Sequence, residues 1–369
     1  MNATPARAPG RRLLWAGSGI LFLGLGVAAW MSFGHRQPPG PPVVDRVIDE
    51  ATRAEVIEQA AQALSRYYVF PDRGVAIAEK LRERARAGQF ATIDSAIEFS
   101  ETLTDTLQDI SHDPHLTARY FDKPLAASAD GEAGSADERT VELLQQIRFN
   151  FGFAHVMRLK ANIGLIDLRG FGRPDQIATR TAATMQWVAD TRALVIDLRE
   201  CGGGDPEGVM QFASYLFDRP THLNDIYWRD EDRIEVRWTS AEVAGVRYGE
   251  SRPIYVLIGP DTFSGCEDFA YALKHAGRAV LVGQTTGGGA HAGSPRRLHD
   301  HFMLFVPTGR PINPVTHTDW EAVGVTPDIA VSVEEAQDAA HIEILKQLIA
   351  TETDADWRER MRGTLDDLQ

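Results

Sequence analysis

The sequence predicts a mixed α/β protein: a small N-terminal helical bundle, then a larger core on a mostly parallel β-sheet. Three observations predict it. Residues 46–110 place apolar side chains at helical spacing, as in Val56, Ile57, Ala60, Ala63, Leu64 and Tyr67. From about residue 162, short apolar runs alternate with helical segments, the pattern of strands joined by right-handed crossovers. Several of these runs end in glycine-rich or serine-bearing turns, and the carboxyl ends of strands are where open α/β sheets build their sites.

The chain opens differently. Residues 13–33 are 21 residues without a charge, preceded by Arg7, Arg11 and Arg12. That length spans a bilayer as a helix, and the arginines keep residues 1–12 in the cytoplasm. A single-pass signal anchor in the inner membrane is expected, with the rest of the chain outside. The alternative is a cleaved signal peptide and a secreted protein. Residues 34–45 then form a linker whose Pro-Pro-Gly-Pro-Pro run is semi-rigid.

The helical cap is expected over residues 46–120. Its first helix is broken at Phe70-Pro71, a second resumes at 75–87, and a third covers 93–107. Residues 121–142 form a second linker, since 126–137 (AASADGEAGSAD) is small, polar and glycine-containing. The α/β core is expected over 143–335. Its strands are 163–168, 193–198, 253–258, 279–282 and 302–306, and its helices 174–189, 206–217 and 263–275. The strands lack polar alternation, as expected when helices cover both sheet faces. Residues 336–369 read as a polar C-terminal helical tail. The formal charge of −14 disfavours nucleic acid as a partner. Two cysteines, Cys201 and Cys266, make no disulfide framework.

Two segments carry chemistry. Gly259–Leu273 runs from the end of a buried strand into a helix that starts near Ser264. A serine there faces free backbone N–H groups that favour developing negative charge; equally, serine is a favoured N-cap. Gly202, Gly203 and Gly204 follow the strand at 193–198 and let N–H groups approach a ligand, or simply turn the chain into the next helix. No Lys-Ser/Thr follows them, so this is not a phosphate loop. His291, His299, His301 and His317 fall in no tight ligand motif, although His299 and His301 would share one face of a strand. No metal and no cofactor is expected.

These motifs occur in a particular order: DPHL at 113–116, IDLR with its glycine loop at 196–204, TFSGCE at 262–267, VLVGQTTGGGAH at 280–291 and WEAVGVTPDI at 320–329. The order resembles the tail-specific (C-terminal-processing) serine peptidase superfamily. It is most similar to the branch typified by the interphotoreceptor retinoid-binding protein repeats and the tricorn protease core, as is YYVFPD at 67–72. The resemblance implies a core of the crotonase/caseinolytic-protease type. It implies a serine-type peptidase outside the cytoplasm, acting on peptides or protein tails. Ser264 matches the nucleophile, His115 the general base and Glu321 the supporting carboxylate. Gly203 and Gly204 from the Gly202–Gly204 loop, with the N–H of Gly265, are the implied oxyanion donors.

The chain departs from the pattern at four positions. Gly289 stands where the tail-specific branch has its basic lysine, Pro114 where a polar residue precedes the histidine, Cys201 where asparagine is usual and Cys266 where alanine is usual. In an exported protein the two cysteines either pair or pack as small side chains. About 40 residues separate Tyr120 from Ile163, too few for an inserted PDZ domain. Because related chains carry apolar ligands on this scaffold, a non-catalytic binder of a fatty acid or retinoid-like molecule is the alternative function. Oligomeric state leaves no mark in the sequence.

Overall fold

The computed structural model describes residues 43–125 and 143–369. The expected cytoplasmic tail, the membrane anchor at 13–33 and most of both linkers lie outside those residues. Among the described residues, no helix is long and apolar enough to cross a membrane.

Three helices open the described chain: α1 (Glu50–Tyr67), α2 (Pro71–Arg86) and α3 (Ala96–Ser111). The second and third start at Pro71 and Ala96 rather than at the expected 75 and 93, and each start has a local cause. Asp49 caps α1 through Thr52 N, Pro71 occupies the first turn of α2, and Ser95 caps α3 through Glu98 N. Helix α3 ends at His112, whose left-handed backbone (φ 56°) turns the chain inward. Asp113 and His115 are buried as a result. Strand β1 (Thr117–Tyr120) follows.

The core is a six-stranded sheet. Its strands are β2 (Phe153–Leu159), β3 (Ile163–Leu168), β4 (Ala193–Asp197), β7 (Ile254–Ile258), β8 (Val280–Gly283) and β12 (Ile329–Ala330). The order is β12-β8-β7-β4-β3-β2; only β2 runs antiparallel to its neighbour. Alternate residues feed two apolar layers. Ile166, Leu194, Ile196, Val256, Ile258 and Leu281 face one, beneath α4 (Pro174–Val188), α5 (Pro206–Ala213) and α6 (Gly265–His275). Leu165, Val195, Tyr255, Leu257 and Val282 face the other, where α7 (Ala336–Thr351) buries Ala340, Ile344 and Leu345 and α8 (Ala355–Leu368) buries Met361. The C-terminal segment expected as a polar tail therefore covers the second face of the sheet.

Two small sheets join this core to the helical cap. Strands β5 (Asp225–Trp228), β6 (Arg233–Glu235) and β11 (Gly309–Ile312) form one, in the order β11-β5-β6. Strands β9 (Gly293–His299) and β10 (Phe302–Pro307) form the other with β1, which pairs antiparallel with β10. The run at 302–306, expected among the core strands, thus lies outside the six-stranded sheet. Its Phe302, Leu304 and Val306 pack into the same apolar cluster as α1 and α3. His299 ends β9 and His301 sits in the turn before β10, so the two straddle a hairpin and do not share a strand face; His301 instead contacts Arg46 and the carbonyl of Phe121.

Candidate active site

Strand β7 ends at Ile258, and a short turn carries the chain to Ser264 at the start of α6. Thr262 ties this turn down by donating to Leu198 O at 2.7 Å and accepting from Gly259 N. Phe263 N donates to Cys201 O at 2.9 Å. Ser264 itself has φ 52° and ψ −121°, far from the extended backbone of an ordinary N-cap serine. A non-glycine residue there costs roughly 1–3 kcal/mol, and such residues concentrate at functional sites. A strained strand-to-helix turn is also how α/β-hydrolases present a serine.

Glu267, to which the sequence motifs assign no role, fastens this turn. Its carboxylate accepts from Ser264 N at 2.8 Å and Gly289 N at 2.9 Å on one oxygen, and from Gly288 N at 2.7 Å and the Thr286 hydroxyl on the other. Burial pushes its pKa up to about 7 even against those four donors. The S/T-x-x-E pattern of a capping box, Ser264 to Glu267, is the sequence signal that would have found it.

The glycine loop lies against the serine. A Cβ built on Gly203, whose φ is +125°, would stand 2.9 Å from Ser264 Cβ, and one on Gly204 would strike Phe171 O at 2.3 Å. Only glycine lets the loop come this close. The three implied oxyanion donors, and Gly202 beside them, are not equivalent. Gly202 N bonds Arg169 O at 3.2 Å, and Gly203 N points to Cys266 Sγ at 3.1 Å. Gly204 N and Gly265 N have no protein partner among the described residues, and both glycines line a cleft with Ser264. Cys201 and Cys266 are joined as a disulfide with their Cα atoms 6.0 Å apart, within the usual span. It pins the glycine loop to the first turn of α6.

The implied base and carboxylate fall in two different places. His115 is wholly buried; its ring lies tilted against Phe263 at 4.8 Å between centroids. Neither ring nitrogen has a hydrogen-bond partner, and Nδ1 lies 3.7 Å from Asp113 Oδ1. Burial lowers its pKa, against the pull of Asp113. Glu321 is not beside His115. It accepts from the backbone N–H of Ala290 at 2.6 Å and of His291 at 3.2 Å, and lies 3.6 Å from His291 Nδ1. Burial first, and then the charge of Asp113, raises its pKa.

His291 is the centre of this second cluster. Its Nδ1 is 3.0 Å from Asp113 Oδ2, which also accepts from Tyr68 Oη at 3.0 Å. The ring meets Phe70 edge-on at 5.4 Å and lines the same cleft as Ser264. Burial alone would lower its pKa, but Asp113 and Glu321 raise it. Burial alone would likewise raise Asp113, yet the two histidines hold it well below the usual carboxylate range. Ligand atoms of Asp113, His291 and Glu321 lie within 4.8 Å of one another, close enough to hold a cation. The sequence does not show this grouping, because 178 residues separate Asp113 from His291.

The vacancy left by the missing lysine is filled. A Cβ on Gly289 would stand 2.2 Å from Phe263 Cζ and 2.6 Å from His115 Cε1. No lysine fits there while those two rings occupy the space.

Comparison with known proteins bears on the fold and the family. Among curated proteins, carboxyl-terminal-processing peptidase 2, chloroplastic, of Arabidopsis thaliana is 32% identical over 175 residues, covering 45% of this chain and 31% of that protein. The chain spans about a third of the length of the curated relatives it matches. Among solved structures, a lipoprotein from Streptococcus agalactiae superposes with a TM-score of 0.55 at 13% identity, over 85% of this chain and 100% of that one. A putative peptidase from Parabacteroides merdae superposes with 0.52 at 16% identity, over 76% and 90%. At such identities these two establish a shared fold. Residues 50–148 match the family described as the N-terminal domain of peptidase S41 in eukaryotic IRBP, and residues 162–331 match peptidase family S41. With the helical cap and the α/β core each matched in order, this chain belongs to peptidase family S41.

Proposed function

We propose that this protein is a serine-type peptidase that hydrolyses peptide bonds in peptides or protein tails, with Ser264 as nucleophile. The observation that carries the reading is Ser264 on its positive-φ turn, with the unengaged N–H groups of Gly204 and Gly265 beside it. Attack of the hydroxyl oxygen on a carbonyl carbon places negative charge on the carbonyl oxygen. Two preorganised N–H donors and the N-terminus of α6 stabilise that charge at the moment it develops. A histidine anchored on Asp113 takes the serine proton, and Glu321 supports it. The resemblance assigns that proton to His115; the fold also brings His291 to the cleft.

The Cys201–Cys266 disulfide supports a location outside the cytoplasm, since such bonds persist in oxidising compartments. Anchoring through residues 13–33 is part of the same proposal. The ligand-binding alternative draws less support. The cleft at Ser264 encloses about 40 Å³, against roughly 300–1,000 Å³ for ordinary ligand pockets.

The test is labelling of the full chain with a fluorophosphonate probe, wild type beside Ser264→Ala. Labelling of the wild type alone, followed by cleavage of a peptide library, supports the peptidase. A folded wild type that takes up no probe overturns it.

A further inference from the structure

We infer that His291, held by Asp113, is the base that takes the Ser264 proton, and that His115 is a packing residue. The inference rests on the peptidase reading and deepens it.

The geometry divides the two histidines. Asp113 Oδ2 can only accept, so the bond at 3.0 Å fixes the proton of a neutral His291 on Nδ1. Nε2 then carries the lone pair. It has no protein partner among the described residues, and the imidazole lines the cleft that Ser264 lines. A base needs these three things: a fixed tautomer, a free nitrogen and access to the hydroxyl. Glu321 completes the arrangement by holding the backbone of Ala290 and His291 and standing 3.6 Å from Nδ1. Both carboxylates face the imidazolium that forms when the proton arrives. Against the effect of burial, the ionised Asp113 beside Nδ1 raises the affinity of His291 for that proton.

His115 lacks the same features. Neither of its nitrogens makes a hydrogen bond, Nδ1 standing 3.7 Å from Asp113 Oδ1, and its ring packs against Phe263 at 4.8 Å and Phe305 at 6.2 Å. It fills the space above Gly289, as an aromatic side chain would.

The chemical step balances without a co-reactant other than water. The Ser264 O–H bond breaks as the proton passes to His291 Nε2, and the oxygen bonds to the substrate carbonyl carbon. The carbonyl π pair moves to the oxyanion facing Gly204 N and Gly265 N. When it returns, the C–N bond breaks and His291 gives its proton to the leaving amine. Water then repeats the sequence and frees the acid.

The experiment compares fluorophosphonate labelling rates of the full chain in wild type, His291→Ala, His291→Gln and His115→Phe, each checked for its disulfide and its circular dichroism. Loss of a general base costs about 100-fold or more. We expect that loss in whichever His291 variant folds, with partial recovery in His291→Ala on adding imidazole. His115→Phe keeps the packed ring and the wild-type rate. Loss in His115→Phe, or near-normal labelling of a folded His291 variant, overturns the assignment while leaving the serine peptidase intact. Loss of wild-type labelling on adding EDTA overturns it too, by making the cluster a metal site. An unlabelled wild type, without chelator, removes the peptidase reading and this one together.

Discussion

At the scale of single residues, the site is governed by buried carboxyls with opposed titrations. Asp113 is held ionised by its histidines, whereas burial and the charge of Asp113 raise Glu321, and burial raises Glu267 to about 7. A carboxyl whose pKa is raised on folding keeps its proton in the native state while the unfolded chain has lost it. The native state then binds more protons, so stability is full below the unfolded value of 4.5 and is lost as pH rises towards the folded one. We predict that the urea midpoint of unfolding falls between about pH 5 and about pH 8. The Glu321→Gln variant loses less over that window, because its amide carries no charge beside Asp113. Parallel pH profiles in the two proteins would show that Glu321 is ionised throughout. The neighbouring positions of Ser264 and the glycine loop were legible because they sit in contiguous motifs. Those of His291 and Asp113 were not, because no local spacing connects residues brought together by a helix end and a distant loop.

At the scale of elements, the turn that carries Ser264 is held from three sides. Glu267 ties it to the loop after β8, Thr262 ties it to the end of β4, and the disulfide ties α6 to the glycine loop. The disulfide closes a loop of 65 residues, for which the chain-entropy relation gives about 4 kcal/mol. Its second effect is on function: it fixes Gly203 and Gly204 against Gly265, the pair of segments that supplies the free N–H groups. We therefore predict that Cys201→Ala with Cys266→Ala lowers the free energy of unfolding by about 2–4 kcal/mol. Serine labelling also slows, at a pH and temperature where the variant is still folded. An unchanged labelling rate would mean that the glycine loop keeps its place without the bond. The strands were readable from their runs because both sheet faces are covered. The covering of the second face by α7 was not, because its apolar residues, Ala336, Ala340, Ile342, Ile344, Leu345, Leu348 and Ile349, are spread round the helix and show no clear stripe.

At the scale of the whole molecule, the helical cap and the α/β core act as one unit, and the site is their joint product. The cap contributes Tyr68, Phe70 and Asp113; the core contributes Ser264, His291 and Glu321. Strand β1 pairs along β10, Val69 N bonds Pro307 O at 2.8 Å, and Arg229 reaches from the core to the carbonyls of Ser65 and Tyr68. The cap also covers Leu298, Phe302, Leu304 and Val306 on the β9–β10 hairpin. A core without its cap would expose those side chains to water, each worth roughly 1.5–3 kcal/mol when buried. It would also leave His291 with no carboxylate on its outer side except Glu321. The corresponding expectation is that residues 143–369 expressed alone aggregate or bind a hydrophobic dye and take up no fluorophosphonate, whereas co-expression with residues 43–125 restores labelling at Ser264. A core fragment that is monomeric and labelled at the full-chain rate would show that Asp113 is dispensable. The base would then owe its orientation to Glu321 alone.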